Sequence, residues 1–440
     1  MKGLSEQMTK FVIENATVVT MNDMREIYQP GYIGIQNQRI DVVSDSPLSG
    51  SKWKDAKYIE GSDTIAIPGL INCHTHAGMT IMRGMADDMP LMEWLKMKIW
   101  PMEAKMSPED VYWGTKLAGL EMIRGGVTCF NDMYWHSNQA ARACDEVGIR
   151  AVLSGVLIAT QDNAEEQIQR AVDIVSEWSH KNHNRIKFFF GPHALYTCPP
   201  AYLDRIVSYA EELSTGIHIH LAETEQEVED CKREYRGESP IQVLEKVGLF
   251  SRPTIAAHCI HISESDMDIL ADWKVSAVHN PSSNMKLASG VMPVENLLKC
   301  GVNVALGTDS AASNNNLSIF TEIRMASLLQ KVDSGDPSAL PAQRALDLAI
   351  RNGAIAIGME GRLGQIEPGF DADIVLIRKN RIHSSPSNDP ISNLVYSLRP
   401  DDVDSVFVAG ELILENGQFI HVDVDEVIAK SKEIVDRIRV

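Results

Sequence analysis

Between Pro68 and about residue 368, short continuous apolar runs alternate with longer stretches whose apolar positions recur at helical spacing. That texture predicts buried strands, each followed by an amphipathic helix. Eight runs read as strands: GLINCHTH, GVTCFNDM, IRAVLSGVLI, IKFFFGPH, GIHIHLAE, TIAAHC, VSAVHN and VNVALGTD. Polar or helix-starting segments follow them. In SPEDVYWGTKLAGLEMIRGG, Ser107 is the expected N-cap, with Pro108 and two acids in the first turn. Eight such units predict an α/β fold built on a (β/α)8 barrel of the TIM type, whose functional residues gather at the C-terminal ends of the strands.

The flanks follow a different rule. FVIENATVVTM, GYIGIQNQRIDVV and DTIAIPG alternate in the manner of strands, and the same vocabulary returns in GFDADIVLI and VDSVFVAGELILENGQFI, with Gly369 and Gly410 at turns. The expected organisation is a small β-sandwich domain formed by residues 1–67 and 369–440, with the barrel of residues 68–368 inserted in it. The final VDEVIAKSKEIVDRIRV reads as an amphipathic helix packed outside. A chain of 440 residues suits a large barrel with a smaller companion.

Composition narrows the partners. Hydrophobic residues make up 44% and charged residues 23%, the balance of a globular protein. Lys plus Arg number 41 against 60 Asp plus Glu, and the net charge of −19 repels phosphate backbones and anionic membrane surfaces. Neither nucleic acid nor membrane is an expected partner. The opening MKGLSEQMTK lacks the apolar stretch of a secretory signal, so the expected location is the cytoplasm, and the expected assembly is a homo-oligomer. Seven cysteines without a C-x-x-C pair predict core thiols rather than disulfides or a zinc knuckle. Cys73 is expected to point away from whatever its neighbours Asn72 and His74 face.

The histidines carry the chemistry. His74 and His76 alternate in a strand, so both imidazoles face one side within reach of one ion. His-x-His alone is weak evidence, because two polar residues at a strand end are common. Here His193, His220, His258 and Asp309 stand at the same end of four later strands. The cytosine and adenine base deaminases with H-x-E and P-C-x-x-C are excluded, as are a G-x-S-x-G elbow and a Walker motif.

PGLINCHTHAGM, GPHALYTCPP, HIHLAETEQEV, AAHC, HNPSSNMKL and LGTDSAASNN together resemble the amidohydrolase superfamily, in its branch of 5-methylthioadenosine/S-adenosylhomocysteine deaminases, over nearly the whole chain. The resemblance implies one divalent metal ion, Zn2+ in preference to Fe2+, held by His74, His76, His220 and Asp309, with an open position for water. Superfamily members with two metals bridge them through a lysine after strand four; here Lys187 lies near that strand's beginning, which favours a single ion. By the same resemblance Glu223 shuttles a proton, His258 orients the attacking water, and Asp309 both binds the ion and accepts the water's proton. His193 and Glu103 bind the nucleoside, Glu103 at the ribose hydroxyls, with Glu223 and Asp309 also facing the substrate. The plainer alternatives are a helix-terminal acid for Glu223, a core histidine for His258 and a surface acid for Glu103. Trp94 either stacks on a base or packs.

The implied activity is hydrolytic deamination of the 6-amino group of 5'-methylthioadenosine, S-adenosylhomocysteine or adenosine, giving the hypoxanthine nucleoside and ammonia. A sister hydrolase of guanine, a pterin or a triazine is the alternative, and a metal-binding scaffold without activity is the reading from another class. The family pattern carries an arginine after strand three to grip the homocysteine carboxylate. This chain has LSGVLIATQDN there, with Gly155 at that place. Arg150 falls at the strand's start, at the bottom of the barrel, and the next arginine is Arg170.

Overall fold

The structure is a computed structural model that describes residues 9–159, 163–180 and 185–439. Eight parallel strands, Leu70–Thr75, Val127–Tyr134, Arg150–Leu157, Ile186–Pro192, Ile217–Leu221, Thr254–His258, Ser276–His279 and Asn303–Leu306, pair in sequence order, each beginning or ending inside one of the eight expected runs. The runs are apolar almost throughout because the strands are covered on both faces, by outer helices and by the barrel interior.

The seam between the eighth and first strands is held by side chains as much as by backbone. Asp309 N–H donates to the His74 carbonyl at 3.0 Å. The Asn72 amide donates to Thr308 Oγ1 at 2.8 Å and its oxygen accepts the Thr308 N–H at 3.0 Å. Only glycine fits at 307, where a Cβ would lie 2.8 Å from that of His74.

One expectation about this strand is overturned. Cys73 packs in the barrel's inner apolar cluster with Cys129, Val152 and Ile255, while Asn72 bonds across the seam and His74 turns to His218. Asn72 and His74 therefore do not share a face. Simple alternation fails because the pairing with the second strand shifts register between Asn72 and Thr75.

Strands from both ends of the chain form one nine-stranded mixed sheet, in which Thr64–Pro68 pairs antiparallel with Ile374–Arg378. The sheet curls on itself. Phe11 and Phe407 belong to strands three positions apart, about 14 Å on a flat sheet, yet their ring centroids are 5.1 Å apart. Arg150, at the start of the third barrel strand, ties this sheet to the barrel floor. It is fully buried, with Nε 2.9 Å from Asp373 and Nη2 3.1 Å from Asp371. Burying these charges is costly, and removing one partner would cost more than the pair is worth, so the triad holds the two parts in one arrangement.

The expected N-cap is present: Ser107 Oγ accepts the Asp110 N–H and Asp110 returns a bond to the Ser107 N–H, starting the helix Pro108–Arg124. The closing helix, Val424–Arg439, packs on that helix and on the turn Ala77–Met82, outside the barrel near its mouth. No helix among the described residues is long and apolar enough to cross a membrane. The seven cysteines are free, six buried and Cys300 exposed.

Candidate active site

The end of the first barrel strand brings His74 and His76 to the centre of the mouth, and Asp132 locks that strand end. Thr75 Oγ1 and the Ala77 N–H both donate to Asp132 Oδ1, at 2.7 and 2.6 Å. Burial pushes Asp132 up to about 6 against those bonds.

Backbone carbonyls decide where two of the imidazole protons sit. His76 Nδ1 lies 2.6 Å from the Met133 carbonyl and His220 Nδ1 lies 2.8 Å from that of His193; only an N–H satisfies a carbonyl, so each ring presents a bare Nε2 to the site. Those two atoms face each other at 3.2 Å. His74 Nδ1 meets His218 Nε2 at 2.9 Å, and its Nε2 is buried with no hydrogen-bond partner. Nε2 of His74 and of His76 lie 3.5 and 3.3 Å from Asp309 Oδ1.

Lone pairs that face one another beside a carboxylate repel unless a cation lies among them. The donor set, three imidazoles and one carboxylate, is that of a catalytic divalent ion with room for a water. The electrostatics carry the same message. Burial and neighbouring histidines hold His220 well below its usual range, and burial takes His74 down to about 4. His76 is lowered by burial, but Asp309 outweighs this and carries it up to about 9, a measure of how strongly the carboxylate favours positive charge at this point. Burial alone would raise Asp309; its contacts with His74 and His76 instead hold it well below the carboxylate range. The Ser283 and Ser313 hydroxyls donate to Asp309 Oδ2 at 2.6 and 3.2 Å, and the Ser310 N–H to Oδ1 at 2.7 Å, which orient the carboxylate.

Glu223 and His258 face each other beside this cluster, with Glu223 Oε2 3.7 Å from His258 Nε2. The helix that follows Glu223 is capped by Thr224, whose hydroxyl accepts the Glu227 N–H, so Glu223 is free of a capping role. Its other oxygen accepts from Ser289 Oγ at 3.3 Å, and burial raises its carboxyl despite the opposing His258 charge. His258 is fixed by Asn284, whose Oδ1 lies 2.9 Å from Nδ1. Left-handed backbone recurs at this rim, with φ of +50° at Ala222, +77° at His258 and +61° at Asp309. For non-glycine residues this costs about 1 kcal/mol or more each and marks strand ends shaped for a site rather than for stability.

A cavity opens onto the cluster, lined by His76, His220, Glu223, His258 and Asp309 on its floor and by Glu103, Trp94, Trp100 and His193 on its walls. Of the side chains the sequence offers for the site, all but the fully buried His74 thus line one space. Glu103 is half-buried, and burial raises its carboxyl against hydrogen bonds from Tyr134 and Trp135. Trp94 is buried and donates to the Ala86 carbonyl at 3.0 Å, so it packs as well as lining the cavity. Asn314 donates to Thr308 O and to Glu322, shaping the loop after Asp309.

A second cavity continues outward past Glu103 and His193, between Trp100, Met106, Trp135, His136 and Ile158. His136 also borders this space. Neither cavity is lined by a lysine or arginine among the described residues. Arg170 is exposed on its helix and paired with Glu166, and residues 160–162 of the loop after strand three lie outside the described residues.

Several residues escaped the sequence reading. Glu227 accepts the N–H groups of Ala222 and Glu223 at 3.0 and 2.8 Å and so shapes the turn that presents Glu223. His261 Nε2 bonds the Ser289 carbonyl at 2.7 Å, steadying the serine that meets Glu223. Asn131 donates to both the Cys73 carbonyl and His218 Nδ1, at 2.8 and 3.0 Å. The alternation of residue type in Ile217–Leu221, IHIHL, was the one available signal for His218, which shares a strand face with His220.

Comparison with known proteins agrees with this geometry. The model of the amidohydrolase family matches residues 65–413. A 5-methylthioadenosine/S-adenosylhomocysteine deaminase from Syntrophomonas wolfei is 44% identical over 425 residues, 96% of this chain and 98% of the relative. A solved adenosine deaminase from Xanthomonas campestris with bound zinc superposes with a TM-score of 0.93 at 35% identity, covering 98% of this chain and 99% of that one. An atrazine chlorohydrolase from Arthrobacter aurescens, also with zinc, shares the fold at 22% identity with a TM-score of 0.89 over 97% of this chain and 100% of that one.

Proposed function

The chain belongs to the amidohydrolase family, and from that membership we propose that it is a zinc-dependent aminohydrolase that replaces the 6-amino group of an adenine nucleoside by an oxo group and releases ammonia. The observation that carries the reading is the set of inward-facing Nε2 atoms around Asp309 with Glu223 and His258 at their side. Of the two heterocycle classes, the nucleoside is favoured by Glu103, a carboxyl on the cavity wall for which a free base has no ribose.

Nε2 of His74, His76 and His220 and a carboxylate oxygen of Asp309 would hold the ion, which, when bound, supplies the acidification that makes a water nucleophilic near neutral pH. Asp309 Oδ2, held by two hydroxyls, accepts the proton that the water gives up. Glu223, whose raised carboxyl favours the protonated form, delivers its proton to the ring nitrogen next to the attacked carbon and recovers one from the hydroxyl that becomes the oxo group, while the proton taken by Asp309 leaves with the amine. His258, fixed through Asn284, orients the water by its Nε2, which faces the Glu223 carboxyl. His193 and Glu103 hold the nucleoside so that its 6-position meets the water. The division of the chain into a barrel of residues 68–368 and a domain made of its two ends, a cytoplasmic location and a homo-oligomeric state belong to the same reading, as does the absence of a nucleic-acid partner, which the net charge of −19 favours.

The outer cavity sets the expected tail preference. A carboxylate there would lack a charge-assisted partner, worth about 1.5–3 kcal/mol, or roughly ten- to a hundredfold in discrimination. The zinc-loaded protein is therefore expected to release ammonia from 5'-methylthioadenosine, and kcat/KM for it or for adenosine should equal or exceed that for S-adenosylhomocysteine. Competition between the substrates in one tube measures this. A strong preference for S-adenosylhomocysteine would show that a cation, such as Arg170 or one from a neighbouring subunit, reaches the tail.

A further inference from the structure

Residues 85–106 form a strap across the mouth, and little of it is buried. It is a chain of short pieces, Leu91–Trp94, a wide π-helical turn at Leu95–Ile99, and Trp100–Glu103, the last carrying the cavity-wall carboxyl. Met97 and Trp100 are exposed on it, and Ala86, Trp94 and Ile99 are its buried residues. At its entry, Asp87 pairs with Lys286, which also reaches the Ala312 carbonyl at 3.5 Å.

At its exit the strap meets the closing helix Val424–Arg439, whose Ile434 and Ile438 lie in one apolar cluster with Trp94, Ile99, Met102 and Met106. Arg437 spans two acceptors there. Its Nη2 pairs with Asp110 Oδ2 at 2.5 Å and its Nη1 donates to the Lys105 carbonyl at 3.3 Å. Lys105 Nζ in turn donates to the Ile438 carbonyl at 3.2 Å. Short-range bonds then join the neighbouring residues back to Glu103. Met106 N–H donates to the Glu103 carbonyl at 3.0 Å, and Asp110 accepts from both the N–H and the hydroxyl of Ser107, at 2.7 and 2.8 Å.

We propose that Arg437 is a positioning residue for substrate binding: it clamps the end of the strap so that the Glu103 carboxyl is held on the cavity wall, and the closing helix is thereby part of the nucleoside site. A planar guanidinium can hold a carboxylate and a carbonyl at once, and an ammonium group holds two such acceptors less rigidly. The kinetic part of the inference rests on the reading that Glu103 binds the ribose.

Full-length zinc-loaded protein carrying Arg437→Met keeps the apolar packing of the helix and loses the clamp. Backbone amides of residues 95–106 are expected to exchange about tenfold faster or more while the barrel strands are unchanged. KM for 5'-methylthioadenosine should rise about tenfold with kcat within about twofold, and Arg437→Lys should recover a large part of both effects. In a Glu103→Gln background, where KM is already raised, Arg437→Met should add less than about twofold. Unchanged exchange in the strap, a loss that falls on kcat alone, or full additivity with Glu103→Gln would overturn the proposal. A Glu103→Gln protein with unchanged KM would overturn the ribose reading instead, and the exchange result would still judge the clamp.

Discussion

His220→Ala is expected to lose bound zinc and turnover together. The remaining donors, His74, His76 and Asp309, would leave the ion with too few protein ligands, and the alanine also removes the ring whose Nδ1 is fixed on the His193 carbonyl. Substituting a residue that merely supports a ligand typically costs ten- to about a hundredfold in metal affinity or activity, so removing a ligand should cost more. Because ion binding and folding are linked, the variant's melting temperature should fall to that of the metal-stripped parent and stop responding to added zinc. Elemental analysis after dialysis, run beside ammonia release, checks both effects. Full zinc occupancy with activity lost would assign His220 to substrate binding instead, and retained activity would remove it from the site.

The second large effect is expected at Glu223. Glu223→Gln keeps the shape of the side chain and its acceptor for Ser289 but cannot carry a proton, so kcat should fall by about 10²-fold or more with zinc content and fold unchanged. The residue is poised for that loss. It is buried, its carboxyl is raised by desolvation, and its capping alternative is already filled by Thr224. Single-turnover kinetics with 5'-methylthioadenosine separate the chemical step from release, and near-normal turnover in the variant would take Glu223 out of the mechanism.

The barrel was legible because parallel strands covered on both faces must be apolar along their length, so all eight appear as continuous runs. The ligands were legible because strand ends put them there: His-x-His, H-L-A-E and G-T-D are local patterns. What stayed hidden depends on partners far apart in the chain. Asp132 is an unremarkable acid until Thr75, 57 residues away, donates to it, and Arg437 reaches Lys105 across 332 residues. Glu227 looks like one acid among many in HIHLAETEQEV; only the turn at Ala222 and Glu223, whose N–H groups it accepts, gives it a task. The side-chain direction of Cys73 was misjudged because a register shift at Asn72–Thr75 breaks the period of two on which strand reasoning depends.

The account stands most directly on which heterocycle the site deaminates. The measurement is kcat/KM for ammonia release by the zinc-loaded protein from 5'-methylthioadenosine, set against guanine, an aminopterin and an amino-triazine under one set of conditions. A cavity that holds the ribose as well as the ring should favour the nucleoside by about 10²-fold or more, since a site built around hydroxyl partners leaves those partners unpaired with a free base. A free base or triazine turned over as fast as the nucleoside, or faster, would contradict it.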